Sequence, residues 1–445
     1  MAITLDEIKE LLSRGDAGMN ELLEIIKTIH PADLADIVEQ MDEDERKAFF
    51  NLLPPEIASE ILTETREEDQ EEVIKGLDDE TIHEVFEELS DDDATDIVQE
   101  LSEEEAERVL RVIHPEDRED IQTLMKYEED TAGGVMTAEL VSVDMSMSAA
   151  EAIGKVREQG REIRFFTVYV VDKKSVLRGT LSVQQLILAD PKIHISEIMD
   201  TDLLSVPPEM DQEEVARLMS RYNVVSIPVV DKSGVLIGRV TVDDVIDILE
   251  EEATEDLFRM SGVDEDESIE RVGVFHSVRS RLPWLCLNLC FIFIASQVIG
   301  LFIKVLEKVV VLAMFLPVVA GIGGNTSTQS LAVTLRRLIL DGALKGRKRR
   351  VVLHEATVAL LNGLVISLII FAVAYLIQKN SYLALIVGCA AWISMTLAGF
   401  MGAFIPIALK ALGFDPTVSS TVITNLTDII SFFLLLGLSA LLLLG

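Results

Sequence analysis

The chain has 445 residues, of which 49% are hydrophobic, and a formal net charge of -38 from 76 acids and 38 bases. The charge is unevenly distributed: residues 1–130 carry 43 acids and 11 bases, whereas residues 271–445 carry 5 acids and 14 bases. One well-mixed soluble domain does not fit this asymmetry, and a strongly acidic surface repels nucleic-acid phosphates. The composition therefore argues against an entirely soluble enzyme and against nucleic-acid binding, and it indicates cations as partners.

The N-terminal segment, residues 1–130, is predicted to form an all-α superhelical domain. Apolar residues recur at three- and four-residue spacing, as in Leu34 and Ile37, and acids fill the remaining face. Residues 35–56 align without gaps on residues 95–116, which is typical of stacked helical repeats.

Three acids of this domain, Asp92, Asp93 and Asp96, fall on roughly one face of a predicted helix. Such a face places several carboxylates against a neighbouring surface, where they are candidate ligands for a divalent cation. The alternative is an acidic face exposed to solvent.

A second repeat follows. Residues 168–187 align without gaps on residues 227–246, and each segment has the pattern of a strand, a turn, a second strand and the start of a helix. The two α/β units resemble a pair of CBS domains, which we assign to residues 131–198 and 199–249. The resemblance implies a module that senses a ligand and transmits a conformational change.

CBS pairs often hold an adenine nucleotide through a Thr/Ser-x-x-Asp turn, and the resemblance makes Thr241 and Asp244 the candidate residues for ATP. The first copy has Ser182 and Gln185 at these positions, so its acid is absent and at most one nucleotide site is expected. A helix cap explains Thr241 and Asp244 equally well.

An acidic helix, predicted over residues 244–270, connects this pair to the C-terminal segment. Its acids are candidate sensing ligands, and we hypothesise that divalent ions bridge them to the N-terminal acids, because closely apposed carboxylates repel each other unless a cation lies between them. The alternative is a simple spacer. The candidate residues are Asp244, Asp247, Glu252 and Glu255.

The C-terminal segment, residues 271–445, is predicted to be an α-helical membrane domain. Bases cluster before the first apolar run and again between the second and third runs. By the positive-inside rule, both clusters of bases lie in the cytosol. The N-terminus, which lacks the features of a signal peptide, is therefore expected in the cytoplasm and the C-terminus outside. Five apolar runs are long enough to cross a bilayer: residues 283–303, 309–334, 351–377, 382–410 and 417–444.

The last predicted span carries a polar stripe that includes Thr424, Asn425 and Asp428. A charged carboxylate at mid-membrane costs about 2.5–3.5 kcal/mol on insertion scales and needs a partner, water or an ion. No Lys or Arg lies in the middle of a predicted span, so a mobile cation is the simplest counter-charge. A structural hydrogen bond between helices is the alternative.

The second predicted span contains Pro317, Gly321, Gly324 and Asn325. Proline interrupts the helical hydrogen-bond ladder and glycine permits a break, so we expect irregular backbone that lines a wet passage. Close helix packing at the glycines is the alternative.

This order of domains, with the Pro/Gly/Asn segment and a late Asp, resembles the MgtE family of magnesium channels and transporters across essentially the whole chain. The resemblance implies a homodimer in which the last-span Asp, here Asp428, binds the permeating Mg²⁺. It also implies cytosolic Mg²⁺ sites that close the pore. Ser327 and Thr328 replace the commoner Gly-Asn that follows the family's P-x₃-G-x-G-G-N pattern.

The predicted function is a Mg²⁺-selective channel or transporter, and not an enzyme, that mediates Mg²⁺ uptake across the plasma membrane as a multi-pass protein. Closure occurs when Mg²⁺ binds the acidic cytosolic domains. Two alternatives remain at this point: a Mg²⁺ receptor that transports nothing, and a broader transporter of divalent cations such as Co²⁺ and Mn²⁺.

Overall fold

A computed structural model describes the chain except for residues 1–2, 15, 162, 264–273, 342–345, 418 and 444–445. The chain divides into two compact units, Met1–Glu252 and Ala253–Gly445. The first unit is all-α and then α/β, and the second is helical, in agreement with the predicted fold classes.

The first part of the first unit consists of short helices. Helix packing joins α3 to α5, α4 to α6, α5 to α7, α7 to α9 and α8 to α10, so each repeat stacks on its neighbour and the predicted helical array is present. The helices are α1 (Leu5–Ser13), α2 (Asp16–Ile26), α3 (Pro31–Val38), α4 (Glu43–Phe50), α5 (Pro55–Glu64), α6 (Glu67–Gly76), α7 (Asp79–Glu87), α8 (Asp91–Glu100), α9 (Glu103–Val112) and α10 (Pro115–Leu124).

The sequence determines where these helices begin and which face they bury. Prolines stand at the first position of α3, α5 and α10, where the missing N–H has no intrahelical partner to lose. Leu34 on α3, Ile61 on α5 and Ile82 on α7 point inward and are almost completely buried. Burial of such side chains contributes about 1.5–3 kcal/mol each, which offsets the cost of holding so many acids in one domain.

The second part of the first unit contains the two α/β copies. In the first copy β1 pairs in parallel with β2, and β2 pairs antiparallel with β3; in the second copy β4 pairs antiparallel with β5. The elements are β1 (Ser142–Asp144), α11 (Ala149–Gln159), β2 (Thr167–Val171), β3 (Leu177–Ser182), α12 (Val183–Leu188), α13 (Ile195–Ile198), α14 (Gln212–Tyr222), β4 (Ser226–Val230) and β5 (Leu236–Thr241).

The copies interlock through their leading segments. Thr137, which precedes β1, bridges to Arg239 on β5, and Asp200, at the start of the second copy, bridges to Thr180 on β3. This reciprocal pairing is the arrangement expected of a tandem repeat whose two copies fold as one body.

A connecting helix, α15 (Val242–Ser261), begins directly after β5. The helix predicted over residues 244–270 therefore exists through Ser261, and residues 264–270 of the prediction lie outside the described part of the chain. Its last turn packs in the second unit, where Met260 contacts the hydrophobic cluster of Leu335, Val351 and Ile407.

The second unit is built from long helices and one short one. Within the described residues, α16, α19, α20 and α21 are apolar and long enough to cross a membrane. The helices are α16 (Val274–Leu301), α17 (Ile303–Lys308), α18 (Leu312–Asp341), α19 (Lys348–Gln378), α20 (Ser381–Ala411) and α21 (Ser419–Leu443). Four of the five predicted spans thus have the expected apolar character.

The remaining predicted span corresponds to α18, which is 30 residues long. At 1.5 Å per residue it reaches about 45 Å, enough to cross a bilayer, but its glycines and amides make it less apolar than the other four helices. It packs against α20 and α21.

The predicted break in this segment is wrong, because α18 is helical without interruption from Leu312 to Asp341 and includes Pro317. Pro317 lies early in the helix, so the ladder loses one hydrogen bond near its start. Gly323 serves close packing: a Cβ there would lie 3.0 Å from the Oγ of Ser431 and 3.1 Å from that of Ser394. Carbonyls freed by a broken helix are therefore not available to line a passage.

Candidate functional site

Asp428 lies on α21 opposite the glycines of α18. A Cβ on Gly324 would be 3.5 Å from Cγ2 of Thr424 and 4.0 Å from Oδ1 of Asp428. The half-buried carboxylate of Asp428 has no hydrogen bond or ion pair with any described residue. A carboxylate without a protein partner in a membrane-spanning helix requires water or a cation.

The rest of the predicted stripe on α21 is hydrogen-bonded. Asn425 Nδ2 donates to Oδ1 of Asn288 at 2.7 Å and to the carbonyl of Thr421 at 2.8 Å, and Thr424 Oγ1 donates to the carbonyl of Ser420. Asn425 therefore links α21 to α16. Sequence reasoning missed Asn288, whose signal was an amide side chain inside an apolar run.

One face of α18 carries polar and small residues that the described chain leaves exposed. Pro317, Gly321, Asn325 and Gln329 follow each other at a spacing of four, and all four are exposed. Hydrocarbon cannot satisfy two amide side chains, so this face must meet water or another protein surface.

The cytosolic acids form a second candidate site. The N-terminal acids on α8 lie beside the first turns of α15, and residues 243–247 are near enough for their charges to act on α8. We call the following residues the acid cluster: Asp91, Asp92, Asp93, Asp96, Glu139, Asp243, Asp244 and Asp247.

Desolvation and neighbouring negative charges raise the pKa of several carboxyl groups in this cluster. Desolvation, followed by the charges of Asp92 and Asp93, raises the pKa of Asp96 to about 8, although Asp96 as a residue is exposed to solvent. Desolvation and then the charge of Asp92 raise the pKa of Asp244 to about 7. Desolvation also raises the pKa of Glu139 to about 7. Carboxyl groups with raised pKa values are the ones that a divalent cation deprotonates when it binds.

Asp92 is the most deeply placed member of the acid cluster. Desolvation raises its pKa, and its Oδ1 atom is buried without a hydrogen-bond partner among the described residues. Arg239 opposes this negative charge, but its guanidinium donates to the carbonyls of Glu139 and Arg164. An unsatisfied buried carboxylate oxygen is an available ligand atom for a cation.

The predicted sensing residues do not all lie in this cluster. Glu252 accepts a hydrogen bond from Gln212 at 3.1 Å, and desolvation with the charges of Glu213 and Asp211 raises its pKa to about 7. Glu255 forms an ion pair with Arg259, one turn along α15. Arg259 in turn contacts Asp415 at 3.0 Å.

Sequence reasoning missed Asp91, Glu139 and Asp243 as members of the cluster. Asp91 and Asp243 are next to Asp92 and Asp244 in the sequence. They were left out because the prediction chose acids by their position on a helical face. Glu139 lies in an extended segment before β1, and only the folding of that segment against β5 brings it close.

Thr241 and Asp244 cap α15. Asp244 Oδ2 accepts from the backbone N–H of Thr241 at 2.8 Å and from its hydroxyl at 2.9 Å. In the first copy Gln185 Oε1 accepts from the N–H of Ser182 at 2.9 Å in the same way. The cap is thus common to both copies, and a carboxylate occurs only in the second.

Comparison with known proteins gives three family matches along the chain. Residues 29–130 match the MgtE intracellular N domain, residues 132–192 and 195–251 match CBS domains, and residues 316–438 match a family described as divalent cation transporter.

Individual proteins match over nearly the full length. The chain is 36% identical over 442 residues to the magnesium transporter MgtE of Thermus thermophilus and 32% identical over 443 residues to that of Bacillus subtilis, with 98% of each chain covered in both cases. A crystal structure of the cytosolic domain of the Mg²⁺ channel MgtE in complex with ATP superposes with a TM-score of 0.52 at 38% identity, covering 55% of this chain and 99% of that one.

Proposed function

Because the chain belongs to the MgtE family of magnesium transporters, we propose that it carries Mg²⁺ into the cell and that Mg²⁺ bound to its cytosolic acids closes the path. The observation that carries this proposal is the unpaired carboxylate of Asp428 beside Gly324. A hydrated cation satisfies a carboxylate at this position in a membrane helix.

Asp428 acts as the ion-binding group of the path. Mg²⁺ loses water reluctantly and prefers six oxygen ligands, so it passes with much of its hydration shell. A carboxylate holds such an ion electrostatically and repels anions, while the negative-inside potential contributes about 2.3 kcal/mol per charge per 100 mV to entry. Gly324 leaves space for the hydrated ion because it has no side chain.

Two copies of the chain complete the path. In each copy α18 crosses the membrane together with the four apolar helices, which makes five spans. The exposed row of Pro317, Gly321, Asn325 and Gln329 supports this arrangement, because a second copy and an aqueous pore satisfy amides that lipid cannot. A two-fold axis along this row would bring two Asp428 residues toward one ion.

The orientation follows from charge. Arg336, Arg337 and the bases at 347–350 flank the connection between α18 and α19, which the positive-inside rule assigns to the cytosol. Five spans then leave the C-terminus outside and keep the acidic domains in the cytoplasm, where they meet cytosolic Mg²⁺.

The acid cluster is the sensor. Without Mg²⁺, two carboxylates that are both ionised repel each other by about 4 kcal/mol at 4 Å and an effective dielectric near 20, which favours separation of α8 from α15. With Mg²⁺ bound between them, the two helices stay together. Switching a pore from mostly open to mostly closed needs about 5.5 kcal/mol of differential binding, which several weak sites supply together.

The connecting helix α15 transmits this change. Its first turn carries Asp243 and Asp244, and its last turn places Met260 against a cluster formed by the membrane helices α18, α19, α20 and α21. A displacement at the start of one continuous helix is felt at its end, because helical hydrogen bonds resist bending.

ATP binds beside the same helix, with Thr241 and Asp244 as its contacts. The ATP complex of the related cytosolic domain supports this part of the proposal. Asp244 then belongs to both the nucleotide site and the acid cluster, so ATP and Mg²⁺ are expected to influence each other's binding.

Mg²⁺ flux into proteoliposomes tests the function, with the Mg²⁺ concentration on the cytosolic face varied independently. Wild-type protein should conduct at low cytosolic Mg²⁺ and close as it rises, whereas Asp428→Asn should not conduct. Glu307→Gln, which alters an exposed acid on α17, is the matched control and should behave as wild type.

The competing functions give different results in the same assay. A complete absence of wild-type flux under every condition would overturn transport and favour a receptor. Equal flux of Co²⁺ or Mn²⁺ would mark a broader divalent-cation transporter. Flux that persists in Asp428→Asn would place the path elsewhere.

A further inference from the structure

Two histidines and a glutamate meet on the surface of the helical array, away from the acid cluster. His83 and Glu87 lie one turn apart on α7, and His114 precedes α10. The Oε1 atom of Glu87 is 3.5 Å from Nε2 of His83 and 3.2 Å from Nε2 of His114, and one ligand atom from each residue lies within 4.8 Å of the others.

The distance between Glu87 and His83 suits a shared metal ion better than a hydrogen bond. Ligand atoms at about 2.0–2.1 Å from a tetrahedral ion are about 3.3 Å apart, close to the observed 3.2 and 3.5 Å. A good N–H···O hydrogen bond has its heavy atoms at about 2.9 Å, so Glu87 is too far from His83 for a strong one.

Two hydrogen bonds that these histidines could make are absent among the described residues. His114 stands at the N-cap of α10, yet its side chain makes no capping hydrogen bond. The other ring nitrogen of His83, Nδ1, is buried without a partner among the described residues. The two rings face each other with centroids 5.2 Å apart.

A second histidine in the same sequence context provides an internal comparison. His30 precedes Pro31 as His114 precedes Pro115, and both stand within an Ile-His-Pro segment at the start of a helix. His30 uses Nδ1 to accept the backbone N–H of Ala32 at 3.3 Å and so caps α3. His114 leaves the equivalent capping position unused and turns toward Glu87 instead.

We propose that His83, Glu87 and His114 form a binding site for a divalent transition-metal ion such as Zn²⁺ or Co²⁺, distinct from the Mg²⁺ sites. Imidazole nitrogens favour these ions, whereas Mg²⁺ prefers oxygen ligands throughout. The net negative charge of the helical domain raises the local concentration of cations. The exposed side of the cluster leaves room for water as a further ligand, since His114 is 58% exposed.

The ion would join α7 to the beginning of α10. Helix α10 packs against α8, and the charges of Asp117 and Asp120 on α10 act on Asp91 of the acid cluster. The site therefore clamps a helix that supports the Mg²⁺-sensing face, and the bound ion stabilises the folded helical array.

Cobalt titration of the full chain in detergent tests the site, with affinity tags removed and Mg²⁺ in large excess. Wild-type protein should bind one Co²⁺ per chain with visible ligand-field bands, and Zn²⁺ should displace it. His83→Gln and His114→Gln should each weaken Co²⁺ binding by about tenfold or more. The matched control His30→Gln should bind as wild type.

The result does not depend on transport, so it stands or falls separately from the proposed function. Absence of the bands in wild type, or equal Co²⁺ affinity in His83→Gln, His114→Gln and wild type, would overturn the site. Glu87→Gln keeps the side-chain shape and provides a third variant if a histidine substitution unfolds the domain. Thermal unfolding should show a Zn²⁺-dependent rise in melting temperature that His114→Gln lacks.

Discussion

The acid cluster and Asp428 use the same chemical group in opposite ways. In the cytosolic unit eight carboxyl groups share one region, where desolvation and then neighbouring negative charges raise the pKa of members such as Asp96 and Asp244, whereas in the membrane unit a single carboxylate stands without a charged neighbour among the described residues. Many coupled acids respond steeply to a change in ion concentration, because each bound ion relieves repulsion among several groups. A single acid binds weakly enough to release its ion, as conduction requires.

The largest expected effect concerns the membrane unit, which contains Asp428. Replacing Asn325 and Gln329 by leucine makes the exposed face of α18 apolar and removes the oxygen atoms available to a hydrated ion, so Mg²⁺ flux should fall to background. Val318→Leu, a conservative change at another exposed position of α18, is the control. Undiminished flux in the double variant would show that this face does not line the path.

Removing carboxylates from the acid cluster should leave flux intact and abolish its regulation. In Asp92→Asn with Asp96→Asn, the Mg²⁺ concentration for half-closure should rise by about tenfold for each carboxylate that is replaced. The measurement is flux into proteoliposomes as a function of Mg²⁺ on the cytosolic face. Unchanged closure in the double variant would mean that other acids sense the ion.

The raised pKa values predict that stability without divalent ions depends on pH. Asp96 titrates with a pKa of about 8 and Asp244 with a pKa of about 7 in the folded chain, above the ordinary values of these acids, so the folded state binds more protons than the unfolded state in this range. Stability should therefore fall as pH rises from about 5 to 8, contrary to the usual behaviour of paired carboxylates.

Thermal unfolding of the full chain at several pH values, with and without Mg²⁺, measures this effect. Mg²⁺ should remove most of the pH dependence, since the bound ion replaces the protons, and its binding near pH 7 should release protons into a weakly buffered solution. A melting temperature that rises with pH in the absence of Mg²⁺ would contradict the crowding of these acids.

The smallest effect is expected at Glu255. Its carboxylate already pairs with Arg259, and ion pairs near the surface contribute about 0–1 kcal/mol, so Glu255→Gln should shift the half-closing Mg²⁺ concentration by less than about fivefold. Asp244→Asn, on the same helix, is the comparison and should shift it more. Equal shifts at both positions would indicate that sensing extends along the whole of α15.

Much of this arrangement was predictable from local patterns in the sequence. Helical periodicity indicated the N-terminal array, gapless repeats indicated the two α/β copies, and the apolar runs indicated the long helices. These features depend on residues close together in the chain, such as Leu34 and Ile37 on one face of α3.

Features that depend on tertiary contacts were not predictable in the same way. Pro317 and the glycines around Gly323 suggested a break in the helix. In the structure α18 is continuous, and Gly323 lets it pack closely against Ser394 of α20 and Ser431 of α21. Glu139 joins the acid cluster from an extended segment that carries no periodic signal. The contact between His83 and His114 joins residues 31 positions apart, which neither helix alone could reveal.

The helix caps of the two α/β copies separate the role of shape from the role of charge. Gln185 and Asp244 make the same backbone hydrogen bond at equivalent positions, so an amide suffices for the architecture, and the negative charge in the second copy is free to serve another purpose. The first copy therefore shows how the cap forms without the negative charge that Asp244 carries in the second. Replacing Asp244 by glutamine, the residue of the first copy, would keep the backbone hydrogen bond of the cap and remove one negative charge from the acid cluster.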